Sequence, residues 1–537
     1  MMTLNRTTFE RFNLVSELIP YVADKYRNKT AVSYYFDKKT VSDKSYIDLY
    51  KDVKKFAYYL KERKLEGKTI CLIGDCSYEW IVSFYSIIWM GAYPVLIDNR
   101  LSSESTMNLI RLADSKSVIF ENKKNSGQLI DLMKKEDISF IGLNSKSNKS
   151  YVEACVNDLV ENSKNEMEHF ASANQDDLAL IVYTSGTTGN NKAVMLSHRN
   201  LCAGLALAYY VAGREKHTGT VAALPVHHML ELTTGIQTPL FVGVPICIGR
   251  GKKYFVQSIS KFKPSTLILV PSVIEMIRKK IWADARLNNK EKQLILSMKI
   301  SNLLRKMGLD FRSKIFSQIH LVLGGNLKTI ISGGAPISNE IVEEFRSWGI
   351  EIYNGYGITE CSPVVSCNMR EHHKDGSVGI TGLAPLCEVQ IIEDEVCVRG
   401  DIVMMGYYND DKATEEAFKD GYFRTGDIGY IDKDGYLFIT GRKKNLIILS
   451  NGENVSPEEL ETMFSNIEGV KDILVCSKKV GSETILGAIV VPSEEYKNRE
   501  NLQEYFSEQF TDVSSKLPPQ KRIYEVNIRD KDFIMSS

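Results

Sequence analysis

Apolar residues recur along this chain in two alternating rhythms. The stretch "SYIDLYKDVKKFAYYLKERKL" (45–65) carries them at helical spacing. Next comes "KTICLIG", an unbroken apolar run that predicts a buried strand, then a second helical segment and "YPVLID". The rhythm returns at "TVAALP", "PICIG", "STLILVP" and "KTIISGG". Apolar strands separated by helices predict parallel sheets covered on both faces, with ligands at the carboxyl ends of the strands. The longest apolar stretch, "WIVSFYSIIWMGAYPVLI" (80–97), approaches the length needed to span a bilayer. Gly91 and Pro94 divide it, and it reads as a buried helix leading into a buried strand rather than a transmembrane segment.

The pattern then changes. A lysine-rich segment at 278–308 predicts surface helices, and beyond about residue 365 the chain turns to short strands and turns. Among these, "GYIDKDGYLFITG" carries the Asp-Gly signal of a hairpin. From "PEELETMFSNIEGVKDILVCSKKV" onward the order is helix, strand, strand, helix, which predicts a small α+β domain beginning near Arg442.

Length and charge narrow the class. At 537 residues the chain exceeds one ordinary core, so at least two domains are expected. Lys plus Arg (67) balances Asp plus Glu (67), so nothing global points to nucleic acid or an anionic membrane. The basic runs Lys252-Lys253 and Arg442-Lys443-Lys444 are too short to form a nucleic-acid stripe. Ten cysteines without CxxC pairs read as reduced core thiols, and the N-terminal stretch lacks a signal-peptide apolar region. Both predict a cytoplasmic protein.

The chemistry concentrates in "IVYTSGTTGNNKAVMLSH" (181–198), where a strand enters a Ser/Thr/Gly loop that ends at Lys192. Loop amides, hydroxyls and a lysine suit a phosphate, although the spacing is not that of the Walker loop. "TIISGGAPIS" (329–338) ends a strand in glycines, where a flat ring can lie against bare backbone. "YNGYGITECSP" (353–363) offers an aromatic for a base, a hydroxyl for a phosphate and a carboxylate for Mg²⁺. "YFRTGDIGYID" (422–432) sets Asp427 where it can accept from ribose hydroxyls, and "GRKKNLIILSNGENVSPEELE" (441–461) adds a basic cluster. Taken singly, Asp427 is a turn cap, Tyr356 a core or surface aromatic, Glu360 a solvated charge and Arg442 part of a solvated face. Their joint order argues for a nucleotide site.

In that order and spacing the motifs resemble the adenylate-forming superfamily, from about residue 28 to the end, and within it most closely the bacterial long-chain fatty acyl-CoA synthetases. The resemblance implies an α/β fold: a large N-terminal domain (1–441) of parallel sheets flanked by helices with a small β-barrel-like part, then a small mobile α+β domain (442–537). It implies that ATP activates a fatty acid to acyl-AMP with release of pyrophosphate, and that a thiol then displaces AMP. Coenzyme A is the expected thiol, and the phosphopantetheine arm of an acyl carrier protein is the alternative. Thr184, Ser185, Gly186, Thr187, Thr188, Gly189 and Lys192 would bind the departing pyrophosphate. Gly334, Ala335 and Tyr356 would flank adenine, Thr359 contact the α phosphate, and Glu360 hold Mg²⁺. Asp427 would take the ribose hydroxyls and Arg442 anchor the nucleotide. His228 would stand beside the acyl pocket, Lys444 would be the hinge of the small domain, and the Gly452 region would line the thiol's path.

Two departures stand out. The loop reads Asn190-Asn191-Lys192-Ala193 where relatives place proline before the lysine and glycine after it. Relatives also carry a catalytic lysine just beyond the position of "KDFIMSS", so adenylation by this chain is expected to be impaired, and a non-catalytic acyl- or adenylate-binding role stays open. An amino acid substrate is disfavoured, because the aspartate that would meet its ammonium is absent from "LPVHHMLEL" and Glu231 is a weak substitute.

Overall fold

The computed structural model describes residues 12–35, 40–121, 126–144, 152, 154–184, 192–212, 218–382, 386–449, 454–480 and 483–533. The apolar runs form strands as expected. Leu178–Thr184, Tyr93–Ile97, Thr69–Ile73, Ser117–Phe120 and Ser139–Gly142 lie side by side and parallel. Lys192–Ser197 and then Gly406–Tyr407 extend this sheet with antiparallel strands. A second sheet runs Val41–Ser45, Thr30–Tyr35, Ile246–Ile248, Thr220–Ala222. A third runs Thr266–Leu269, Thr329–Ser332, Glu351–Tyr356, Ser366–Cys367.

Local chemistry explains the helices between them. The helix Tyr46–Glu62 begins at a capping box: Ser45 Oγ accepts from the Asp48 amide at 3.1 Å, and the Asp48 carboxylate accepts from the Ser45 amide at 3.0 Å. The helix Tyr78–Trp89 is apolar on every side because it is buried on every side, with Trp80, Phe84, Tyr85 and Trp89 all in the core. The stretch at 80–97 is therefore a buried helix and strand, and no helix among the described residues is long and apolar enough to cross a membrane.

Between residue 365 and Arg442 the strands are antiparallel. Glu388–Ile392, Glu395–Arg399, Tyr422–Ile431, Phe418–Lys419 and Leu437–Arg442 make a five-stranded sheet. Its Asp-Gly hairpin is closed by Asp432 Oδ1, which accepts from the amides of Asp434 and Tyr436 at 2.9 Å each, while Gly435 takes the left-handed φ of +85° that the turn requires.

The small C-terminal unit has its own core around Phe464, Phe506 and Phe510. The helix Pro457–Phe464, the strands Val470–Val480 and Glu483–Pro492 and the helix Leu502–Ser515 follow the expected order. A third strand, Ile523–Ile528, adds itself parallel to Glu483–Pro492. Its buried residues Ile523 and Val526 lie three apart, so the strand lacks the period-two alternation that would mark it in the sequence.

Candidate active site

Seven of the expected site residues, Thr184, Lys192, Tyr356, Glu360, Asp427, Arg442 and Lys444, converge where the large sheet meets the antiparallel one. Thr184 ends the strand Leu178–Thr184 and pairs with Lys192, the first residue of the returning strand. Ser185, Gly186, Thr187, Thr188 and Gly189 lie outside the described residues, as does Gly452. The Lys192 ammonium sits 4.3 Å from the ring centre of Tyr407, whose strand pairs with that of Lys192. The Tyr407 hydroxyl donates to Glu360 at 3.2 Å. Burial pushes the Glu360 carboxyl above its ordinary range, while Tyr407, Arg442 and Lys192 act to pull it back.

Asp427 is the anchor of the second half. It is 4% exposed, and both carboxylate oxygens are occupied: the Tyr356 hydroxyl donates to Oδ2 at 2.6 Å and Arg442 Nε donates to Oδ1 at 2.7 Å. A carboxylate offers about four lone-pair positions, so capacity for further donors remains. Burial and then the Asp427 charge drive the Tyr356 phenol well above its usual pKa, so it stays a donor at any working pH. Lys444 joins the cluster: burial, then Arg442 and Lys192, lower its pKa, while Asp427 and Glu360 oppose them. Three cations thus face two carboxylates, which leaves a net positive field for a polyanion.

A cavity of about 950 Å³ opens beside this cluster, at the carboxyl ends of strands from the second and third sheets. One side is backbone and polar groups: Gly333, Gly334, Gly355, Tyr356, Gly357 and Thr359. Gly334 has φ +83°, and Ala335 follows it on the exposed side of the turn. Gly357 lies so close to the chain at Pro363 that a Cβ would come within 1.6 Å of its carbonyl oxygen. The rest of the wall is mostly apolar, with Val211, Ala222, Leu230, Phe255, Val273 and Met276 among its residues.

His228 stands on this wall and its surface opens into the cavity rather than the core. Burial first, then Arg100, lowers its pKa against the pull of Asp98, so the imidazole is neutral. Its neighbour His227 is buried with ring centres 4.3 Å apart, and its pKa falls to about 4. Asp98, at the carboxyl end of the strand Tyr93–Ile97, grips Arg100 through both oxygens at 2.9 and 2.7 Å and lies 3.6 Å from His227.

Sequence reasoning missed Tyr407, Asp98 and Arg100. Asp98 closes the quoted "YPVLID" strand, and the strand-end rule is signal enough to single it out. Tyr407 gives no signal, because its role depends on a strand pairing across more than two hundred residues. Glu231 is 1% exposed, off the cavity wall, with Oε2 accepting from the Leu224 amide at 3.2 Å. Burial raises its pKa to about 8, so it is largely neutral and unsuited to an ammonium.

No cluster of three or more metal-binding side chains occurs among the described residues. The lone Glu360 carboxylate fits Mg²⁺, which commonly takes one or two carboxylates and completes its shell with water and substrate phosphates.

Comparison with known proteins gives the chain's family. A family model described as AMP-binding enzyme matches residues 20–408. The long-chain-fatty-acid–CoA ligase FadD15 of Mycobacterium bovis is 29% identical over 420 residues, 74% of this chain and 68% of that protein. The long-chain-fatty-acid–CoA ligase of Salmonella typhimurium is 32% identical over 326 residues, 57% of this chain and 51% of its own length. Among solved structures, the anthranilate CoA ligase AuaEII in complex with anthranoyl-AMP matches with a TM-score of 0.78 at 18% identity, over 98% of this chain and 95% of that one. That last likeness is one of fold. With this family model matched across most of its length, the chain belongs to the AMP-binding enzyme family.

Proposed function

We propose that the protein joins a fatty acid to coenzyme A in two steps through an acyl-adenylate. One observation carries this reading: a charged cluster suited to ATP adjoins, through Tyr356 and Thr359, a cavity whose remaining wall is mostly apolar. A fatty acid carboxylate held at the polar end would attack the α phosphorus of ATP. The bond from that phosphorus to the bridging oxygen breaks, and pyrophosphate leaves. In the second step the thiol sulfur attacks the acyl carbonyl, AMP leaves with the carboxyl oxygen, and the thiol proton passes to solvent.

The first step brings an anion to an anion, so the protein's work is charge compensation and positioning. Lys192 and the hydroxyl loop from Thr184 would face the departing pyrophosphate, and Thr359 the α phosphate. Asp427 would take the ribose hydroxyls with Arg442 beside it, and Gly334, Ala335 and Tyr356 would bound the adenine. Mg²⁺ would be held by Glu360 and would neutralise phosphate charge. Neutral His228 would hold the acyl end of the cavity without adding charge. The unit 442–537 would turn about Lys444 to present a second face for thiol transfer. The carrier-protein arm ends in the same thiol as coenzyme A, and the cytoplasm is the compartment where ATP and either acceptor meet.

The test supplies ATP, Mg²⁺ and carboxylic acids from short to long, and follows acyl-AMP by mass spectrometry before coenzyme A or a loaded carrier protein is added. Fatty acyl-adenylates that vanish on addition of coenzyme A are the expected result. Adenylates from amino acids alone, or none from any acid although ATP binds, would overturn the reading.

A further inference from the structure

The chain's overall charge balance conceals a local excess. Between residues 271 and 322 there are eleven Lys and Arg against four Asp and Glu, a net charge of +7 in a chain whose total is zero. Among the described residues, eleven of the seventeen strongly exposed large apolar side chains also fall between Met276 and Val322. Apolar exposure and positive charge are therefore concentrated on one helical unit, made of Pro271–Leu287, Glu291–Lys306 and the short helices after them.

The helix Glu291–Lys306 shows how the two are arranged. Its inward strip is Leu294, Met298 and Ser301, and Ser301 Oγ donates to the Ser347 carbonyl at 3.3 Å. Its outward strip is Leu296, Ile300 and Leu303, continued by Met307 just past its end, at spacings of four, three and four. These four side chains are 46–67% exposed. At 100° per residue the two strips lie about 200° apart, on opposite sides of the helix. An ordinary surface helix carries polar residues on that outer face. Here Lys292, Lys299 and Lys306, each seven residues after the last and all exposed, form a rail along one edge of the apolar strip. Leu309 (45% exposed) and Phe311 (42% exposed) extend the apolar surface beyond the helix end. Three arginines of the unit are paired, Arg278 with Glu344, Arg286 with Glu291 and Glu495, and Arg312 with Asp310 and Glu351.

We propose that this face is a docking surface for an anionic lipid bilayer, with the helix Glu291–Lys306 lying in the plane of the headgroups. An interfacial helix has this composition: leucine, isoleucine and phenylalanine that enter the acyl boundary, and lysines whose long stems let the ammonium reach the headgroup phosphates. A second copy of the chain fits less well, since a shared apolar strip would bring two lysine rails together. The same unit walls the cavity through Val273 and Met276, and Met276 is 45% exposed, so the surface and the apolar cavity are neighbours. With no helix among the described residues able to span a bilayer, the contact is peripheral and salt-sensitive.

The test uses the full chain with vesicles of phosphatidylcholine, alone or mixed with phosphatidylglycerol, and measures partition by sedimentation at low and high salt. The unaltered protein is expected to bind the mixed vesicles, and binding should weaken as salt is raised. Reversing the rail (Lys292→Glu, Lys299→Glu, Lys306→Glu) should lower partition by about a hundredfold or more, and Leu296→Ser with Leu303→Ser should lower it by at least about tenfold. All five positions are exposed, so thermal melts should stay unchanged. Hydrogen exchange on the unaltered protein gives a reading free of mutation: vesicles should slow amides in 291–311 and spare the rest of the surface. No binding to mixed vesicles at low salt overturns the proposal, and so does binding that survives both sets of changes. A dimer that the Leu296/Leu303 changes dissolve, without vesicle binding, assigns the face to self-assembly instead.

Discussion

The two ends of the cavity are built on opposite plans. At the proposed nucleotide end, polar residues are few and each is tied to another: Lys192 to Tyr407, Tyr407 to Glu360, Tyr356 and Arg442 to Asp427. At the proposed acyl end the Asp98–Arg100 pair stands near His228, but most of the wall is apolar and shared among helices and strands far apart in the chain. The difference reflects what each end must recognise. Phosphates and ribose hydroxyls demand donors and acceptors at fixed positions, whereas a hydrocarbon chain demands only volume and dryness. Damage at the first end should be large and specific, and at the second graded and dependent on substrate length.

The largest effect expected is that of Asp427→Asn. The change keeps the size of the side chain but removes the charge that faces Arg442 and Tyr356 in a site only 4% exposed. Arg442 is 42% exposed, so the loss is reckoned as two weakened hydrogen bonds to a charged group, each worth about 1.5–3 kcal/mol, and pyrophosphate release should fall on the order of a hundred- to a thousandfold, with KM for ATP raised. If KM for ATP moves by less than a few fold while the protein stays folded, Asp427 does not hold the nucleotide.

At the other end, Ala222→Phe places a ring in the cavity at the end of the strand Thr220–Ala222. Each lost methylene contact is worth about 1–3 kcal/mol, so kcat/KM for the longest acid accepted should drop roughly ten- to a hundredfold, while the shortest keeps its rate. An equal loss across the whole ladder would mean that the cavity does not measure the acyl chain.

The same contrast governs what the amino-acid sequence makes legible. Asp427, Tyr356, Glu360 and Lys192 stand in short stretches whose residue types already suit a nucleotide, because that chemistry leaves few substitutes. The strands "KTICLIG", "YPVLID" and "KTIISGG" are legible because burial on both faces writes an unbroken apolar run. Cavity walls write no such pattern. Val211, Ala222, Phe255 and Met276 are ordinary core types, and only the folded chain shows which of them face empty space. The docking helix reads as a surface helix, yet its apolar face does not, since helical periodicity alone cannot say which strip of Glu291–Lys306 turns inward.

Tyr407→Phe sharpens the comparison within the charged end. It keeps the ring beneath Lys192 and removes the hydroxyl that donates to Glu360. A hydrogen bond to a charged group is worth about 1.5–3 kcal/mol, so a fall of roughly tenfold in rate is expected. Burial already raises the Glu360 pKa and the Tyr407 hydroxyl lowers it. Without that donor the carboxyl should rise further, and the acid limb of the pH–rate profile should shift to higher pH. An unshifted acid limb would separate Glu360 ionisation from activity.

Glu231→Gln gives the smallest and cleanest test, because Glu231 is a carboxyl that burial holds neutral. Its pKa rises from 4.5 in the open chain to about 8 through burial. The folded form binds a proton that the unfolded chain has released, so the stability this group contributes is full below pH 4.5 and is lost as pH climbs through about 8, with a slope of at most about 1.4 kcal/mol per pH unit. Gln keeps the acceptor for the Leu224 amide and cannot ionise. His198 and His227, both lowered from 6.5 to about 4 by burial, act in the other direction and erode stability as pH falls through that window. They are common to both proteins and cancel in the difference. Thermal melts from pH 5 to pH 9 should show the variant gaining on the unaltered protein steadily with pH. Parallel curves would mean that Glu231 is ionised in the folded state, and a charged carboxylate behind the cavity wall would reopen the case for a cationic substrate.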